Sequence, residues 1–217
     1  MKKVLLSIIL CLSAIIASSQ VVQDYDYSID MVYYRAFYSS SIKTSSFVVY
    51  KLYNPTKRVS RENLSFKSYK KLPHFNYSKS GYDIGHLMPA ADAADSLSKM
   101  KATFYFINAV PQTKQLNRGI WQVYESDIRQ YSRRDSLIIV VGGCDYSPRI
   151  KYIPQNCFKI VYSLSTGKCI YSIIMDNSSN PRAKQCSELK KIFPYVRVKE
   201  LYDSSRGCDV NKKSMYE

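Results

Sequence analysis

None of the cysteines in this chain stands in a CxxC pair, which argues against a zinc cluster of thiolate ligands. Past the first twenty residues no apolar run is long enough to cross a bilayer, so stable membrane insertion is not expected there. No internal repeat stands out, and a single domain is expected. Acidic side chains are scarce, 17 against 32 Lys and Arg, which leaves a net charge of +15. A chain this basic is drawn to polyanions at long range, but charge alone does not choose among nucleic acid, anionic lipid and acidic glycans. Histidine occurs only twice, as His74 and His86.

What is present begins with MKKVLLSIILCLSAIIASSQ: two lysines, an apolar run from Val4 to Ala17, then small residues. That is the layout of a secretory signal, with cleavage expected after Ser19 and Gln20 as the new terminus. Cys11 follows Leu10 rather than a small residue, which disfavours a lipid anchor. The expected organisation is therefore a signal over 1–19 and one domain over 20–217, secreted to a periplasmic or extracellular space. Loss of Lys2 and Lys3 lowers the charge from +15 to +13. Cys144, Cys157, Cys169, Cys186 and Cys208 survive export, and an oxidising compartment favours up to two disulfides among them with one thiol left over.

Along the chain, residues 20–30 are polar and tyrosine-rich and read as a loose leader. Residues 31–38 and 47–53 read as a β-hairpin, ended by Asn54-Pro55. A basic irregular stretch delivers Arg58 and Arg61 ahead of an extended segment at 81–87. Residues 90–100 suit a brief helix, 103–110 a strand broken by Pro111, and 115–133 a helix anchored by Trp121 and Ile128. Residues 137–141 form a strand ended by Gly142-Gly143, 158–164 and 169–175 a hairpin, and 183–192 a short helix. This order predicts an α+β domain on a mainly antiparallel sheet.

The chemistry concentrates in residues 82–129. On one continuous helix, Asn117, Trp121, Glu125 and Arg129 lie four apart and share a side, drifting by roughly 40° per step. Each has a plainer role: a helix cap for Asn117, a surface salt bridge worth under about 1 kcal/mol for Glu125 and Arg129, core for Trp121. His74 has no supporting context. His86 follows Gly85 near Asp83, where a bare backbone allows close approach, and neutral imidazole suits proton abstraction from water. Together the set meets the demands of phosphodiester hydrolysis. One amide oxygen plus phosphate oxygens can hold a hard cation that keeps its waters, a carboxylate can orient those waters, and a guanidinium can steady the phosphate.

The motifs YDIGHLMPAADA, INAVPQ and LNRGIWQVYESDIR resemble the DNA/RNA non-specific endonucleases of the ββα-metal (His-Me finger) superfamily. The matching positions are Asp83, Gly85 and His86; Pro89, Ala90, Ala91 and Asp92; Asn108, Pro111 and Gln112; then Asn117, Trp121, Glu125 and Arg129. The resemblance is strong over 81–129 and weaker from about 33 to 166. It implies an antiparallel central sheet with helices on both faces, His86 as general base and Asn117 as the direct ligand of magnesium, or manganese in its place. It also implies Glu125 as the holder of metal-bound water, Asn108 as support for the histidine, Arg129 as a phosphate contact and Arg61 as the upstream arginine, with Arg58 its competitor. The substrates implied are DNA and RNA, held by their backbones with little base preference. One position departs: Ile84 stands where the family signature has arginine, and an apolar side chain cannot hydrogen-bond phosphate. Ile84 and the basic charge motivate a rival reading, a non-catalytic polyanion-binding domain on the same scaffold. A third, an envelope-associated structural protein, leaves the spaced motif unexplained.

Overall fold

The structure is a computed structural model that describes residues 22, 24–54 and 59–203. The signal segment 1–19, Arg58 and Cys208 lie outside the described residues. Strands rich in Val, Ile, Tyr and Phe dominate the chain, and seven of them pair, every one antiparallel, into one sheet. In chain order these are β1 (Tyr27–Asp30), β2 (Tyr34–Ser39), β3 (Thr44–Leu52), β6 (Leu137–Tyr146), β7 (Pro154–Ser163), β8 (Cys169–Asp176) and β9 (Ala183–Gln185), and they neighbour one another in that same order. Between β3 and β6 the chain leaves the sheet to build a small pair, β4 (Asp83–His86) with β5 (Ala109–Gln112). That excursion also carries α1 (Leu97–Thr103), α2 (Lys114–Asn117) and α3 (Ile120–Tyr131). Two more helices, α4 (Ser187–Ile192) and α5 (Tyr195–Asp203), follow β9.

Side chains alternate along a strand, so a sheet buried on both faces sorts neighbours into two cores. Val48, Tyr50, Leu52, Leu137, Ile139 and Val141 join Met100, Trp121 and Ile128 of α1 and α3 in the larger one. Phe47, Val49, Ile138, Val140, Phe158 and Ile160 meet Leu189, Phe193 and Val198 on the other face, under α4 and α5. Helices therefore cover both faces, as the resemblance implied.

Several boundaries differ from the sequence reading, each for a local reason. The stretch 27–30 is not a loose leader: it pairs with β2 as an outer strand, Tyr27 opposite Tyr38. Residues 103–108 are not a strand, because α1 runs to Thr103 and a 3-10 turn covers Phe106–Asn108. Pro111 does not break β5; in a two-stranded sheet each strand is an edge, where a residue without an N–H is tolerated. The segment 183–192 divides into β9 and α4. Gly142-Gly143 lies inside β6 rather than ending it, since a Cβ at Gly142 would sit 2.2 Å from the Ser46 carbonyl oxygen and 2.8 Å from the Phe158 ring.

The expected disulfides are not formed among the described residues, where Cys144, Cys157, Cys169 and Cys186 are all free thiols. Cys157 pairs with Gly143, the residue before Cys144, so alternation sends the two thiols to opposite faces. Accordingly Cys144 lies in the α4/α5 core and Cys157 in the α3 core.

Gly142→Ala forces a methyl group against a neighbouring backbone and a buried ring. It is expected to lower the urea midpoint by the equivalent of about 2–3 kcal/mol with an unchanged m value, read by equilibrium unfolding.

Candidate active site

Gly85 allows the close approach that places His86: a Cβ there would lie 2.1 Å from Gln112 Oε1 on the facing strand. β5 and the 3-10 turn before it are tied to the main sheet by hydroxyls of β3, Thr44 Oγ1 donating to the Ala109 carbonyl at 2.5 Å and Ser45 Oγ to that of Ile107 at 2.5 Å. The turn after His86 is held by the fully buried Asn108. Its Oδ1 accepts from the Met88 N–H at 2.8 Å, and its Nδ2 donates to the carbonyls of Met88 and Thr103, both at 2.9 Å. The imidazole packs against Phe66 and Phe104, ring centres 4.6 and 4.9 Å away, and Nε2 is buried without a hydrogen-bond partner. Burial, and secondarily the charge of Arg61, lower its pKa to about 4. His86 is thus neutral near pH 7, the form a proton acceptor requires.

Asn117 ends α2 rather than sitting within one long helix. Thr113 caps α2 through Leu116 N–H, and the chain breaks at Arg118 and Gly119, where a Cβ on the glycine would come within 2.4 Å of the Gln115 carbonyl oxygen. The expected four-residue ladder from Asn117 to Arg129 is therefore interrupted, and only Trp121, Glu125 and Arg129 share α3. Asp83 restores the relation by tertiary contact. Asn117 Nδ2 donates to Asp83 Oδ2 at 3.0 Å, which fixes the amide orientation, and Oδ1 makes no hydrogen bond among the described residues. Arg118 grips the same carboxylate with Nε at 2.7 Å and Nη2 at 2.8 Å. Those bonds, Arg118 first, hold the Asp83 carboxyl below the usual carboxylate range.

Beneath α3, four charged side chains meet. Arg129 Nη1 donates to Asp92 Oδ1 at 2.9 Å and Nη2 to Ser126 Oγ at 3.2 Å, while the Tyr50 hydroxyl donates to Asp92 Oδ2 at 2.8 Å. Lys159 Nζ stands 3.8 Å from Glu125 Oε1 and 3.7 Å from the centre of the Trp121 ring. Burial raises the carboxyls of Asp92 and Glu125 and lowers the Lys159 ammonium, and the opposite charges pull each back toward its ionised form.

His86, Asp83, Asn117, Glu125, Arg129 and Arg61 line one open cleft of about 720 Å³. They reach it from β4, α2, α3 and the loop before β4. Asn108 does not line it and acts from behind the His86 turn. Ile84 does line it, so the apolar substitution faces the cavity. Asn117 Oδ1, held free by the Asp83 bond, is a hard oxygen suited to a divalent cation, and the Glu125 carboxylate lines the same cleft.

The family model described as DNA/RNA non-specific endonuclease matches residues 13–213. The chain belongs to that family. Among curated relatives of this non-specific endonuclease-family chain, mitochondrial endonuclease G of Homo sapiens is 35% identical over 124 residues, covering 49% of this chain and 42% of the relative. A nuclease of a Nostoc species is 30% identical over 146 residues, covering 61% and 53%. Mitochondrial nuclease EXOG of Danio rerio is 39% identical over 75 residues, covering 35% and 22%. The chain thus spans about half or less of these relatives' lengths. The crystal structure of the EndoG/EndoGI complex matches with a TM-score of 0.63 at 19% identity, over 76% of this chain and 83% of that one. The likeness in fold is to an α+β, ββα-metal architecture; in this chain the β4/β5 pair is followed by α2 and α3.

Sequence reasoning passed over two residues of this family member's site. Lys159 is a lone cation in the apolar run of β7, on the face of Cys157 and Val161, and that alternation was the available signal. Arg118 had no signal, since its role depends on Asp83 from a distant strand.

The buried imidazole makes the stability of this endonuclease-family protein pH-dependent. The unfolded chain takes up a proton on His86 near pH 6.5, the folded chain only near 4, so stability falls as pH drops between those values. His86→Phe is expected to remove about 3 kcal/mol of that fall, measured as urea unfolding free energy at pH 7 and pH 4.

Proposed function

We propose that the protein is a nuclease that hydrolyses phosphodiester bonds of DNA and RNA with magnesium as its cation, or manganese in its place. The observation that carries the reading is the convergence of His86, Asn117, Glu125, Arg129 and Arg61 on one cleft. Family membership and the basic charge of +15 support it, since backbone-directed binding is electrostatic and tolerant of sequence.

In this reading neutral His86 accepts a proton as a water oxygen attacks phosphorus and a P–O ester bond breaks. Asn108 keeps the imidazole at its station by clamping the turn behind it. Asn117 Oδ1 would hold the divalent cation, and Glu125 would orient water bound to it; when bound, the cation would supply neutralisation of charge on the phosphate and leaving oxygen. Asp83 positions Asn117 through the amide nitrogen. Arg129, its guanidinium fixed by Asp92 and Ser126, and Arg61 contact the phosphate. We further propose export, with residues 1–19 removed after Ser19; this rests on the sequence pattern of that segment. Among the described residues no helix is long and apolar enough to cross a membrane.

Ile84 on the cleft wall favours the second reading, a nucleic-acid-binding domain weakened or silent in catalysis. Incubation with plasmid DNA and with RNA decides between them. Cleavage of both substrates with Mg²⁺, abolished by chelator and lowered at least about 100-fold in His86→Ala, is the expected result. Retention on DNA without cleavage is the outcome that favours the binding domain.

Ile84→Arg restores a guanidinium to the wall and is expected to raise cleavage several-fold at sub-saturating substrate. The same rate from a folded variant, checked by circular dichroism, would remove position 84 from any phosphate-contacting role.

A further inference from the structure

Beside the cleft runs a second groove of about 510 Å³, and the two share Arg61, Ala90, Ala91 and Arg129. We propose that this groove binds the nucleotide flanking the scissile phosphate, with Arg133 holding that nucleotide's outer phosphate. The inference rests on the nuclease reading and extends the same site by one unit of chain.

The chemistry of the walls points to such an occupant. Val59, Ala94 and Met100 supply an apolar side, suited to a sugar and the face of a base. Ser126, Gln130 and Arg133 supply a polar side from α3 and the turn that continues it, where the Arg133 N–H still bonds the Gln130 carbonyl at 3.2 Å. Arg129 is committed to Asp92 and Ser126. Arg133, by contrast, is exposed and its side chain makes no hydrogen bond or ion pair among the described residues. It therefore presents an uncompensated guanidinium at the groove. Arg133 stands in the turn two residues past the end of α3, four positions after Arg129, and lines the groove beyond it. Among the described residues no aromatic side chain lines the groove, so the flanking unit is held mainly through its phosphate and without base preference.

The test compares Arg133→Gln and Arg133→Lys with wild type on two diesters. One is a short single-stranded oligonucleotide; the other is bis(p-nitrophenyl) phosphate, which has no flanking nucleotide. In Arg133→Gln, KM for the oligonucleotide is expected to rise about tenfold with kcat within about twofold, and the salt slope of log kcat/KM to flatten by about one. Arg133→Lys is expected to retain most of the effect of charge, and the small diester to be cleaved alike by all three proteins. An unchanged KM and salt slope on the oligonucleotide, or an equal loss on both diesters, overturns the proposal. If wild type cleaves neither diester, the nuclease reading fails. The groove is then judged by fluorescence-anisotropy affinity for the oligonucleotide, where tenfold weaker binding in Arg133→Gln supports it and equal binding overturns it.

Discussion

Four charges packed between the sheet and α3, two of them fully buried, set the terms for everything around them. Asp92 and Lys159 are each only 1% exposed, and an isolated ion at such depth is too costly to persist. Asp92 is matched by Arg129 and Tyr50, and Lys159 by Glu125 and the face of Trp121. Because two of these partners also wall the cleft, the register of α3 over the sheet and the geometry of the cleft are one constraint. Slipping α3 by a residue would strand a charge in the core, which costs about 3–5 kcal/mol when one partner of a buried pair is lost. Such a network adds little net stability, but it leaves the helix a single arrangement in which both carboxylates are satisfied.

The opposite wall depends on short polar residues that tie the β4/β5 unit to the large sheet. Asn108 holds the turn after His86, and Thr44 and Ser45 hold the chain around β5. Asn177, just past β8, accepts from the Thr113 N–H at 2.8 Å and donates to the carbonyls of Pro111 and Pro154 at 2.9 and 2.8 Å. Each bond is modest, near 1 kcal/mol net, yet each satisfies a backbone group that burial would otherwise orphan. The histidine and the asparagine thus sit on a rigid floor, although neither belongs to the main sheet.

Most strands were legible because β-branched and aromatic residues alternate along them, and the hairpins at β2/β3 and β7/β8 fall where composition places them. Of the residues that reach the cleft, Asp83, His86, Asn117, Glu125 and Arg129 were legible too, because they cluster within residues 82–129, whereas Arg118 was not. What failed were the places where the local signal is ambiguous. Gly142-Gly143 reads as a stop but marks close packing of strands; Pro111 reads as a breaker but occupies an edge; the helical period from Asn117 to Arg129 reads as continuous but is divided at Gly119.

By itself, the chain's order of residues determined an α+β class, a strongly basic net charge, and the identities of an imidazole, an amide, a carboxylate and a guanidinium grouped in one stretch. Only tertiary structure decided that Asp83 orients Asn117, that Lys159 faces Glu125, and that Cys144 and Cys157 turn to opposite cores. The reason is physical: composition and spacing report what a segment prefers, whereas a buried charge or amide is settled by partners from distant elements, which spacing along the chain does not encode.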